Sequence, residues 1–76
     1  MSKAGRLYKG LGVLNQKAFD VRKEADDQLD LSRRFFEEEK FALSADCAEL
    51  AQKKLSELRD ILEDLQDIAD GIARLT

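Results

Sequence analysis

Apolar side chains in the second half of the chain recur at alternating intervals of three and four: Ala48, Ala51, Leu55, Leu58, Leu62, Leu65, Ala69 and Ile72. This is the a/d pattern of a heptad, and it predicts a long amphipathic helix over residues 45–75. The neighbouring g positions are Cys47, Lys54, Ile61, Ile68 and Leu75, mostly apolar as well. A two-stranded coiled coil needs only a and d. A stripe three positions wide is what a helix uses among several neighbours.

The first half repeats the spacing through Leu7, Leu11, Leu14, Ala18, Val21 and Ala25. The next places in that register hold Gln28 and Ser32, both polar, while apolar residues continue one position later at Leu29 and Phe36, with Phe35 alongside. An eleven-residue interval joins Ala18 to Leu29 and Ala25 to Phe36, the period that keeps a stripe straight on a nearly straight helix. On that reading the stripe drifts and leaves Gln28 and Ser32 facing water; the alternative is a polar layer that fixes register, as a buried Asn does in coiled coils. Gly10 and Gly12 each cost about 1 kcal/mol inside a helix. The first helix is therefore expected over residues 13–40, preceded by a basic arm or frayed turn over residues 1–12.

Between Val13 and Asp70 there is no Gly, and there is no Pro anywhere, so the joint between the halves carries no ordinary marker. The heptad phase supplies one. Sevens counted forward from Ala25 reach Ser32, Glu39, Asp46 and Lys53, whereas the second-half stripe runs through Ala48 and Leu55, two residues later. Two residues at about 100° each turn the stripe by roughly 200°. One unbroken helix would thus show apolar faces on opposite sides, and a chain reversal brings them together. The expected fold is all-α: an antiparallel hairpin of two helices with its turn at residues 41–44, Ser44 or Asp46 capping the second helix. Two such hairpins would share their broad stripes in a dimeric four-helix bundle. The alternative is one long helix in a coiled coil.

Composition narrows the chemistry. A chain of 76 residues is one domain and hides only about 60 % of its unfolded surface. One cysteine, Cys47, permits no internal disulfide, and with no histidine there is neither a zinc site nor the usual general base. No Gly-rich phosphate loop is present. No enzyme, cofactor, metal or small-molecule substrate is expected. No run of 18 apolar residues exists, and the start has no long apolar h-region, so the expected setting is a reducing cytoplasm. Cys47 is expected to pack in the core as a small hydrophobe.

Charge is uneven. Residues 1–23 hold six basic residues against Asp20 alone, a net of +5, and residues 24–76 hold 7 basic and 15 acidic, a net of −8. Lys3, Arg6, Lys9 and Lys17, with Tyr8 between them, are the candidate contacts for phosphate or for an acidic partner. A membrane surface is the less expected target of so few charges. Glu57, Asp60, Glu63, Asp64, Asp67 and Asp70 form a candidate acidic docking face, or a plain solvated one, on the second helix.

The candidate protein interface is Leu14, Val21, Leu29, Phe35 and Phe36 from the first half with Leu55, Leu58, Leu62, Leu65 and Ile72 from the second. At about 1.5–3 kcal/mol per buried large side chain, such a stripe outweighs any surface ion pair. The expected function is non-enzymatic: an interaction module such as an assembly factor, adaptor or small regulatory subunit, working as a homodimer or on another protein. The alternative is a regulator linked to nucleic acid, binding through its basic arm or imitating phosphate with its acidic body.

Overall fold

The computed structural model describes residues 2–75. Two helices, α1 (Lys3–Glu37) and α2 (Phe41–Ala73), pack antiparallel along their whole length. The out-of-phase stripes do meet by chain reversal, and the long-rod alternative is set aside. The hairpin measures 55 × 15 × 13 Å. Its radius of gyration is 17.1 Å, against about 11 Å for a compact domain of this length.

Helix α1 begins well before Val13. Ser2 caps it, its hydroxyl accepting the Gly5 N–H at 3.1 Å. Gly10 and Gly12 are carried inside the helix because α2 packs beside it, and packing outweighs intrinsic propensity. A methyl group on Gly10 would lie 3.5 Å from Ile68 Cδ1, and one on Gly71 would lie 3.6 Å from Leu7. These are ordinary contacts between the two helix ends.

The turn occupies Glu38, Glu39 and Lys40, ahead of the expected residues 41–44. Lys40 N–H donates to the Phe35 carbonyl at 2.8 Å and Glu39 N–H to that of Phe36 at 3.0 Å. Glu39 sits in the left-handed region at φ 63°. This is a Schellman stop with glutamate where glycine is usual. The accompanying contact is made by Lys40, whose Nζ lies 5.9 Å from the centre of the Phe35 ring. Ser44 is not a cap: its N–H donates to the Lys40 carbonyl at 3.0 Å, inside the first turn of α2.

The seam also differs from expectation. On α1 it runs through Leu7, Leu11, Leu14, Ala18, Val21, Ala25, Gln28, Ser32 and Phe35, all buried or half-buried. The stripe keeps its heptad and does not drift to Leu29 and Phe36, which are 45 % and 62 % exposed. The reason is chemical. Ser32 Oγ donates to the Ser44 carbonyl at 2.8 Å, and Ser44 Oγ donates back to the Ser32 carbonyl at 2.7 Å. A reciprocally bonded pair satisfies both hydroxyls, so Ser32 lies in the seam as a polar layer rather than facing water. Two turns further on, Ala25 and Ala51 have no exposure at all.

On α2 the seam takes Ser44, Cys47, Ala51, Lys54, Leu58, Ile61, Leu65, Ile68 and Ile72. It therefore uses the g and d positions of the heptad read from the sequence, and the a positions are left outside. Val21, Ala25, Ala51 and Ile61 are the buried apolar residues.

Candidate interaction surface

Each residue that directly follows a seam residue is turned by 100° along its helix. In an antiparallel pair the edges produced by one such step lie on the same side of the seam. On α1 this edge is Tyr8, Asn15, Arg22, Leu29 and Phe36, with Phe19 slightly further round; on α2 it is Phe41, Ala48, Leu55, Leu62 and Ala69. Seven of the eleven exposed large apolar side chains among the described residues lie here, so their exposure is organised rather than scattered. Leu55 and Leu62 are 44 % and 52 % exposed in the middle of the strip. At the turn end the Phe36 and Phe41 rings meet edge to face, centroids 5.3 Å apart. Arg22 is the charged residue nearest the seam on this edge, and Asp26, Arg33 and Arg59 stand further round, as Phe19 does. With Phe19, Lys23 and Asp26 it lines a shallow open depression of about 290 Å³.

The other side of the seam is different. Leu43, Leu50 and Val13 are exposed there, but the edge also carries Lys17, Glu24, Glu57 and Asp64. Lys54 Nζ reaches out of the seam to Glu24 at 2.8 Å and to Glu57 at 3.7 Å. The hydrogen bond and charge of Glu24 raise the Lys54 pKa above its ordinary value, with a smaller contribution from Glu57.

The proposed interface residues divide into two sets. Leu14, Val21, Phe35, Leu58, Leu65 and Ile72 face the opposite helix, whereas Leu29, Phe36, Leu55 and Leu62 face out on the apolar side. The acidic residues Glu57, Asp60, Glu63, Asp64, Asp67 and Asp70 are all exposed, on the far and outer sides of α2. None interrupts the apolar face. Asp70 accepts a hydrogen bond from Gln66 at 3.0 Å.

The basic residues do not assemble with the tyrosine. Lys3 and Lys17 lie on the side opposite Tyr8, and Arg6 and Lys9 point outward. Cys47 is half-buried in the seam. Among the described residues no group of His, Cys, Asp and Glu side chains could hold a metal ion, and no helix is long and apolar enough to cross a membrane.

Reading the sequence missed the sorting of one broad stripe into an inner seam and an outer face. No family model, curated protein or solved structure matches the chain.

Proposed function

We propose that this chain is a protein–protein interaction module rather than an enzyme, and that it works through the apolar face formed by Phe19, Leu29 and Phe36 of α1 with Phe41, Leu55 and Leu62 of α2. The role is that of an assembly factor, adaptor or small regulatory subunit. One observation carries the reading: the exposed large side chains gather along one side of the hairpin, and both helices contribute to it. Contiguous apolar surface of this kind on a small protein marks a contact that excludes water. Aromatic residues are also the side chains that dominate such contacts.

The face is tested by photo-crosslinking in cells of the source. A benzophenone side chain in place of Leu62 is expected to capture a discrete protein adduct, either to another copy or to a different protein. The same group in place of Lys53, on the outer surface of α2, should give none. Equal, diffuse labelling from both positions would refute the reading.

A further inference from the structure

The apolar face commits its occupant through area, matching and charge. The described molecule exposes 5791 Å² for a mass of 8.6 kDa. A compact monomer of that mass exposes about 4,700 Å². The excess is about 1,100 Å², and a stable dimer removes about 800 Å² from each partner. A second copy of this hairpin is therefore a cover of the right size.

The face also matches itself when inverted end for end. Tyr8 lies near the open end and the Phe36–Phe41 pair at the turn end, with Leu55 and Phe19 close to midway between them. A two-fold axis across the helices at the level of Leu55 places the phenylalanine pair of one copy over Tyr8 of the other. Leu55 then meets its own counterpart, and Leu62, one heptad along α2, faces Ala48 of the other copy.

Charge selects this orientation over its rival. The half of the hairpin nearer the turn, residues 24–53, has four basic and nine acidic residues, a net of −5. The open half, residues 1–23 with 54–76, has nine basic and seven acidic, a net of +2. Two copies aligned with turns together would set −5 against −5. Copies with turns at opposite ends set −5 against +2 at both ends of the interface, an attraction that favours that encounter.

Resting on the interaction reading above, we propose that the partner is a second copy, packed face to face about a two-fold axis with the turns at opposite ends, to give an antiparallel four-helix bundle. Light scattering on the purified chain should give twice 8.6 kDa. Leu62→Lys should return it to a monomer with its helicity intact, since Leu62 is already half-exposed in the single hairpin. Val13→Lys, on the far side of the seam, should leave the dimer in place.

A spin label on Glu38→Cys in a Cys47→Ser background reports orientation. Turns at opposite ends put the two labels on the order of 50 Å apart, the length of a helix of 35 residues at 1.5 Å each. A separation below about 25 Å, one bundle width, would overturn the orientation. A wild-type monomer at 100 μM, or a Leu62→Lys variant that stays dimeric, would overturn the second copy as occupant. A wild-type monomer whose Leu62 crosslinker still captures a different protein keeps the interaction reading and rejects this one.

Discussion

The two halves of the seam are held by different means. Near the turn the facing residues are small or polar: Ser32 with Ser44, Ala25 with Ala51, and Lys54 reaching to Glu24. Towards the open end they are large and aliphatic: Leu7, Leu11 and Leu14 against Ile61, Leu65, Ile68 and Ile72. Aliphatic layers adhere strongly, but they tolerate sliding, because one leucine contact resembles the next. The serine pair adheres weakly and tolerates none: a shift of one helical turn, about 5.4 Å, would part both hydroxyls from their carbonyls. The difference teaches a division of labour, with adhesion at one end and register at the other.

That contrast is open to attack by substitution. The largest loss is expected at Ile61→Ala, which removes a buried aliphatic side chain at a cost of about 2–4 kcal/mol. For so thin a core this should unfold most of the population, and circular dichroism with urea titration would show it. Ser44→Ala comes next, at about 1–2 kcal/mol, because it strands the Ser32 carbonyl contact and removes one of two bonds. Ser32→Ala combined with Ser44→Ala should cost about the sum of the two single changes, since each hydroxyl donates to a backbone carbonyl that alanine at the other position retains. A double variant as stable as the wild type would refute the role of the pair.

Glu39→Gly should raise stability by about 0.5–1 kcal/mol, by relieving the left-handed glutamate without touching either half of the seam. A loss instead would mean that the turn depends on the Glu39 side chain.

The smallest effect concerns Lys54. Its folded pKa lies above the ordinary value of 10.5, so the pair with Glu24 contributes in full below that value. The contribution fades as pH climbs through the raised folded value. Wild type should therefore lose stability more steeply above pH 10.5 than Lys54→Gln, as thermal melts across that range would reveal.

Much of the fold was legible because it rests on periodicity. Sevens counted from Ala25 reach Asp46 and Lys53, out of step with the α2 seam at Ser44, Ala51 and Leu58. A reversal was therefore readable without a local marker, even though Ala48 itself lies outside the seam. The position of the turn was missed because its hydrogen bonds are made by backbone groups and its left-handed residue is a glutamate. A stronger signal lay in the chain nonetheless. Ser32 and Ser44 are equidistant from residue 38, and so are Ala25 and Ala51. Small or polar residues mirrored about one point are what a hairpin with close-packed helices requires.

The sorting of the stripes was less legible. Leu55 and Leu58 are equally apolar on paper, and only the partner helix decides which of them it covers. Leu29 and Phe36 misled for a related reason: they promised a continuous hydrophobic line, while two hydroxyls could close the seam without them.

The molecule is also thin. At 55 Å long and at most 15 Å across, it is a stack of single rungs with no centre, and no large side chain among the described residues is completely enclosed. Stability in such an object accumulates nearly linearly along the axis, as it does in repeat arrays. Trimming one heptad from each free terminus should subtract a fixed increment and leave the remaining rungs as they were, so the chain's tolerance to damage is set by length and by where the missing rung falls.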